Sequence, residues 1–337
     1  MKTLKDHLEN CPLGHRALVD LNVGELPSGT PIKIRAHVIR AAKPGPTALL
    51  LGGVHGDEIN GIEIVRRTVK SGMLDHLTCG TVIAIPLLNV YGFLNYSREV
   101  PDGKDVNRSF PGTSNGSLAS RVASIITKEV LPVINFAMDF HTGGRAHHNH
   151  PQIRYNPKDH SAKVLAKAFN APVTLASNTI KGSLRKTAFE MEKPTIIFEG
   201  GENLRIHGPS IDAALTGIRN VLVSQGMLSE DQPTLGLSTA ASHSGATLNG
   251  TERTQTPQET IMLEHSSWTR ATKAGLFEWC VPSGNWVEKG QTLGYLRDPY
   301  GLGEETILAP RKAYIIGHEN SPVINIGDAL FHLAWVG

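Results

Sequence analysis

Ala48-Leu49-Leu50-Leu51-Gly52-Gly53-Val54-His55-Gly56-Asp57-Glu58 is the stretch on which the fold turns. Four apolar residues in a row, closed by two glycines, read as a buried strand. From 59 to 69 apolar residues recur at helical spacing, so a strand gives way to a helix within this one segment. A histidine and a glutamate three apart at such a junction can point at one spot, and imidazole with carboxylate is a common half-site for zinc. The chain holds 15 histidines in 337 residues, so an HxxE match arises by chance roughly once. Its weight depends on what converges on it. Glu58 also suits the first turn of its helix through the dipole, and Asp57 competes for both roles.

Upstream, residues 32–39 and 47–51 read as strands around the turn signal Lys43-Pro44-Gly45-Pro46. Downstream, 81–88 is a β-rich apolar run, and 117–130 reads as a helix with Pro132 just beyond it. Residues 136–140 form a strand leading into His141-Thr142-Gly143-Gly144. The segment 161–169 is helical, and 195–198 is a strand leading into Glu199-Gly200-Gly201. A last helix spans 209–228. This alternation predicts an α/β fold with a largely parallel sheet covered by helices on both faces.

The pattern changes after about residue 228. Residues 229–259 are rich in Ser, Thr, Gly, Pro and Gln and read as a linker or exposed loop. From 261 to 337 short strands alternate with Gly, Pro and Asp. Within them, 286–294 and 322–330 each read as strand, glycine turn, strand, a pseudo-repeat inside a small β domain. The expected division is a catalytic domain over 1–228, a linker over 229–259 and a C-terminal all-β domain over 260–337.

Bulk composition narrows the function classes. Hydrophobic content of 40% and charged content of 19% fit a soluble globular chain. A formal charge of +2 with no basic run argues against nucleic acid as a partner. Cys11, Cys79 and Cys280 form no CxxC pair and suit a reducing compartment. The first residues carry no apolar signal region, and no run is long enough to span a bilayer, so the expectation is a cytoplasmic protein without a membrane partner. Homo-oligomerisation is left open.

Open α/β sheets build their sites at the carboxyl ends of strands. His55 and Glu58 follow one strand end, His141 a second and Glu199 a third. His55, Glu58 and His141 would make a His₂Glu zinc site with an open position for water. Glu199 is then the candidate general base, taking a proton from water acidified by the metal; Glu202 is its nearest rival. Asp139 shares a strand face with His141 and is either an orienting partner for that imidazole or an ordinary strand-end carboxylate. In the irregular segment 97–112, Asn107-Arg108 is either a loop turn or a clamp for a substrate carboxylate, a task that suits arginine. Arg98 is either a solvated charge or a second guanidinium for the oxyanion at the scissile carbonyl. His147, His148 and His150 read as loop residues.

Four motifs occur in a telling order: Gly52-Gly53-Val54-His55-Gly56-Asp57-Glu58, Asp105-Val106-Asn107-Arg108-Ser109-Phe110-Pro111-Gly112, Asp139-Phe140-His141-Thr142-Gly143-Gly144 and Phe198-Glu199-Gly200-Gly201. Together they resemble the succinylglutamate desuccinylase/aspartoacylase family of the zinc carboxypeptidase clan, over roughly residues 30–337. The longer Asn-Arg-Ser-Phe-Pro-Gly form is similar to a bacterial branch that includes deacetylases of N-acetylated diaminobutyrate. The resemblance implies a zinc-carboxypeptidase-like mixed sheet flanked by helices, with a small biotinyl/lipoyl-like β domain at the C-terminus that narrows the site. It implies one zinc per chain on His55, Glu58 and His141, with Glu199 as base and proton shuttle. It also implies Arg108 and Asn107 on a substrate carboxylate, and Arg98 as the carbonyl-polarising arginine. The C-terminal part has no Met-Lys-Met tip, so no swinging-arm cofactor is expected.

The function these readings predict is a zinc-dependent amidohydrolase in which zinc-bound water deacylates a small N-acyl amino acid. The rivals are a metallocarboxypeptidase acting on peptides and a catalytically inactive binding protein on the same fold.

Overall fold

A computed structural model describes residues 3–25, 28–231 and 259–337. At its centre, strands β3 (Thr47–Gly52), β4 (Thr81–Ile85), β5 (Phe136–Gly143) and β8 (Thr195–Glu202) run parallel in the order β4-β3-β5-β8. All five residues of β4 and all eight of β5 are buried, as continuous apolar runs covered on both faces should be. The expected 81–88 strand stops at Ile85 because Pro86 has no N–H to offer the ladder.

The parallel order holds only at the centre. On one side β2 (Pro31–Arg40) lies antiparallel to β4, and β1 (Arg16–Glu25) antiparallel to β2. On the other side β6 (His147–Tyr155) runs antiparallel to β8, and β7 (Val173–Ala176) parallel to β6. The sheet is therefore mixed rather than largely parallel. His147, His148 and His150 lie on a strand, not in a loop: a neighbour on each side supplies the ladder that their composition alone does not advertise.

Helices α2 (Ile59–Lys70), α5 (His160–Phe169) and α7 (Gly208–Ser224) cover one face, burying Ile64, Val65, Leu165, Phe169, Ile218 and Val221 against Phe140 and Phe198. Helices α1 (Leu4–Asn10), α4 (Leu118–Ile125) and α6 (Leu184–Glu190) pack on the other face around Leu4, Val122 and Leu184. A short α3 (Val90–Leu94) follows β4. The helix expected over 117–130 ends at Ile125 and continues as a wider turn to Val130. Pro132 cannot donate to the carbonyl four residues back, and its ring crowds that carbonyl.

The C-terminal residues extend the same sheet and add a second one. Strands β9 (Ile261–Leu263), β10 (His265–Arg270), β12 (Trp286–Val287), β15 (Ala313–Glu319) and β17 (Ala329–Trp335) join the large sheet, with β15 antiparallel beside β6. Strands β11 (Gly275–Trp279), β13 (Thr292–Arg297), β14 (Glu304–Leu308) and β16 (Val323–Ile324) form a separate four-stranded sheet. Phe277, Leu293, Leu296, Ile315, Phe331 and Leu333 form one apolar cluster here. The pseudo-repeat appears as β12-turn-β13 and β16-turn-β17, with Gly290 and Gly327 at φ +82° and +87° in the two turns. Most of the expected linker, 232–258, lies outside the described residues. No described helix is long and apolar enough to cross a membrane.

Candidate active site

Between Gly52 and Ile59 the chain crosses the carboxyl end of the sheet, where space is short. A Cβ on Gly56 would lie 2.0 Å from the backbone of Gly92 and Phe93, so only glycine lets this loop pass α3. The loop turns His55 and Glu58 inward until each is only 2% exposed, and His141 at the end of β5 is 4% exposed. His55 Nδ1 lies 2.6 Å from Glu58 Oε1, and His141 Nδ1 lies 2.8 Å from Glu58 Oε2. One ligand atom from each of the three residues falls within 4.8 Å of the others, the one such grouping of His, Cys, Asp and Glu among the described residues.

The far nitrogens are anchored too. His141 Nε2 lies 2.9 Å from Asp139 Oδ2, and His55 Nε2 lies 3.2 Å from Asp105 Oδ1. Each imidazole thus sits between two carboxylates, which directs both Nδ1 atoms at one point. Burial opposes charge on His141, yet Asp139 and Glu58 hold it well above the usual histidine value. Burial likewise opposes ionisation of Glu58, but His55 and His141 keep it well below the usual carboxylate value. A buried cluster that favours positive charge, with two nitrogens and a carboxylate as donors, fits zinc.

The remaining candidates gather in a cleft of about 270 Å³ above this cluster, which Arg98, Asn107, Arg108 and Glu199 line with the three metal candidates. Arg98 is held by Asp105 Oδ2, 3.1 Å from its Nε and 2.9 Å from its Nη2, while its Nη1 donates to Glu58 Oε1 at 3.2 Å. Asn107 Oδ1 accepts from the Leu184 N–H at 2.9 Å, so its amide N–H groups are the part left for a ligand. Arg108 donates from Nη1 to the Asn107 carbonyl at 2.7 Å. Glu199 accepts from Asn149 Nδ2 at 2.9 Å and pairs with Arg154 Nη1 at 3.5 Å.

The sequence motifs leave five further groups unassigned. Asp105 begins the Asn-Arg motif, and its link to His55 could have been suspected from that. Arg154 and Asn149 sit on β6, whose His-rich sequence reads as a loop. Arg185 on α6 is 5% exposed and lines the cleft. It donates from Nη2 to the Asn178 carbonyl at 2.9 Å, while its Nε and Nη1 have no protein partner among the described residues. Burial, with Arg154 beside it, pushes this guanidinium down to about 10. From the C-terminal strands, Trp268 closes one wall, stacked on His332 at 4.2 Å and edge-on to His147 at 5.1 Å. Of the histidine cluster only His147 lines the cleft.

A mixed α/β sheet with a His-Glu-His cluster at its strand ends, faced by arginines, defines a class of carboxypeptidase-like proteins. Residues 44–224, more than half of the chain, match the model of the succinylglutamate desuccinylase/aspartoacylase catalytic domain, and the chain belongs to that family. It is 27% identical over 307 residues to the N-alpha-acetyl-L-2,4-diaminobutyric acid deacetylase of Halomonas elongata, covering 87% of this chain and 83% of the relative. Among solved structures, the product-bound ectoine utilization protein EutE (DoeB) of Ruegeria pomeroyi superposes with a TM-score of 0.79 at 25% identity, covering 96% of this chain and 95% of that one. An aspartoacylase family protein of Mesorhizobium loti shares the fold with a TM-score of 0.79 at 23% identity, covering 97% and 96%. These matches bear out both the family resemblance and the branch that the Asn-Arg-Ser-Phe-Pro-Gly motif suggested.

Proposed function

We propose that this protein is a zinc-dependent amidohydrolase that deacylates a small N-acyl amino acid, with one zinc per chain on His55, Glu58 and His141. The observation that carries the reading is the meeting of that buried donor set with Glu199 and two guanidinium groups, those of Arg108 and Arg185, that make no ion pair among the described residues, in one cleft. When bound, zinc supplies a Lewis acid that acidifies water to near neutrality. Glu199 accepts a proton from the attacking water, and the carbonyl carbon gains its oxygen. Arg98, aimed across the metal ligands, stabilises the oxyanion that forms. Glu199 then returns the proton to the nitrogen as the C–N bond breaks, releasing a carboxylate and an amine.

Arg108 and Arg185 fix the substrate. Arg98 is balanced by Asp105 and Glu58, and Arg154 by Glu199. Arg108 and Arg185 face the cleft and form no ion pair with a carboxylate among the described residues, the arrangement that suits a bound carboxylate. The named relative's substrate is an N-acetylated diamino acid, and a free α-carboxylate is the part of it these two residues would grip. The walls supplied by Trp268 and Ala329 favour small substrates over peptides. The expected division into a catalytic part, 1–228, and a β part, 260–337, is proposed from the separate four-stranded sheet that the C-terminal residues add, and action in the cytoplasm from the unpaired Cys11, Cys79 and Cys280.

The test is hydrolysis of a panel of N-acetyl, N-succinyl and N-formyl amino acids by zinc-loaded protein, with C-terminal peptides alongside. Release of free amino acid from the panel is expected. Faster cleavage of the peptides would establish the carboxypeptidase alternative, and no turnover together with no zinc would leave a binding protein.

A further inference from the structure

Strand β6 carries one residue more than β8 between two matched positions. Asn149 pairs with Gly201 and Gln152 with Glu199, three steps against two. Such a bulge bends a strand and re-aims a side chain, and Pro151, which has no N–H for the ladder, sits inside it. Strict alternation would turn Asn149 away from the face that Gln152 and Glu199 share. With the extra residue, the 5%-exposed Asn149 side chain comes onto that face and its amide donates to Glu199 Oε2 at 2.9 Å.

The other side of this amide is set by the C-terminal strands. Gly317 on β15 stands directly opposite Asn149. A Cβ at Gly317 would lie 2.7 Å from Asn149 Oδ1, a distance that side chains do not reach. Strand β15 also shifts register against β17 between Ile315 and Gly317. A bulge, a proline and a glycine thus converge on one amide group, and that group touches Glu199. Arg154 stands 3.5 Å from the other carboxylate oxygen, long for a hydrogen bond.

We propose that Asn149 is a positioning residue for Glu199, and that Gly317 reserves the space in which its amide lies. The inference rests on Glu199 being the general base. Asn149 holds one carboxylate oxygen by a charge-assisted hydrogen bond and so leaves the other for the proton transfer. The C-terminal strands therefore act on the reaction through the base, as well as by lining the cleft.

The test uses full-length, zinc-loaded protein and the member of the N-acyl amino acid panel that wild type turns over fastest. Asn149→Asp sets a second carboxylate against Glu199, so the acid limb of kcat/KM should move up by about one pH unit or more. Carboxyl ¹³C NMR, with the Glu199 signal identified by its loss in Glu199→Gln, should show the same displacement without any substrate. Asn149→Ala should lower kcat by about tenfold or more with KM nearly unchanged, and Gly317→Ala should follow in the same direction. A folded Asn149→Asp protein whose rate profile and ¹³C midpoint both coincide with wild type would overturn the proposal. Full turnover by Glu199→Gln would instead overturn the assignment of the base, a separate result.

Discussion

Asp139 and His141 stand two residues apart on β5, with Oδ2 of the one 2.9 Å from Nε2 of the other. Strand alternation puts both side chains on one face, so the spacing itself delivers a carboxylate to the back of the imidazole. The ring is thereby fixed with Nδ1 toward Glu58, and its basicity as a donor rises. Asp139→Asn keeps the shape and removes the charge. Zinc affinity should fall by roughly 10–100-fold, while wild type holds close to one zinc per chain by elemental analysis. Equal affinity in the two proteins would remove Asp139 from the metal's support.

Arg185 is expensive where it stands. Two guanidinium nitrogens are buried with no protein partner among the described residues, and burial of an unpaired donor costs about 1–3 kcal/mol. An anion bound in the cleft would supply the acceptors these donors lack. Arg185→Met should therefore fold with an unchanged or higher Tm, yet raise KM for carboxylate substrates by about 10–100-fold, the worth of a charged hydrogen bond. Arg108→Ala should raise KM similarly. A substrate whose carboxylate is converted to an amide should be indifferent to both changes. If KM stays at the wild-type value in Arg185→Met, the carboxylate lies elsewhere.

Gly56 explains why the first motif carries glycine beside its histidine. Any side chain there meets the Gly92–Phe93 backbone at 2.0 Å, and backbone cannot swing aside. Gly56→Ala should displace the loop that carries His55 and Glu58. The expected outcome is loss of zinc together with a Tm several degrees lower, read by elemental analysis and thermal melting. A protein with normal zinc content and Tm would show that the loop has slack.

Legibility in the sequence followed local pattern. His55, Glu58, His141 and Glu199 each stand just past an apolar run at the centre of the sheet, where composition announces a strand and the strand end announces a site. Arg108 was reached through a loop motif of matching chemistry. Asn149 was hidden because its direction depends on a single extra residue in β6, and the His-rich first part of that strand, 147–152, has none of the β-branched residues that mark strands. Arg185 was hidden for the opposite reason: beside Lys186 it is one of two adjacent charges, which read as solvent-facing, and only the packing of α6 above the cleft makes it buried. What escaped the sequence was thus the supporting contacts made across strands far apart in the chain.

Acid should unfold this protein through the histidines between β6 and the C-terminal strands. His318 Nδ1 accepts from the Ser283 N–H at 3.0 Å, a bond that a proton on Nδ1 would destroy. His148 lies beside it with ring centres 5.2 Å apart. Burial, with His148 nearby, holds both His318 and His150 down to about 4. In the unfolded chain each would titrate near 6.5. Between those values the unfolded state binds more protons than the folded one, so stability falls as pH drops. The contribution is fully present above about pH 6.5 and is lost toward pH 4. Asp57 and Glu319, raised by burial, act in the opposite sense, so the comparison that isolates the histidines is wild type against His318→Gln. Thermal melts from pH 7.5 to 4.5 should show a steeper fall of Tm in wild type than in the variant. Parallel curves would mean that His318 is protonated as readily in the folded protein as in the unfolded one, and that the loss of stability in acid has another source.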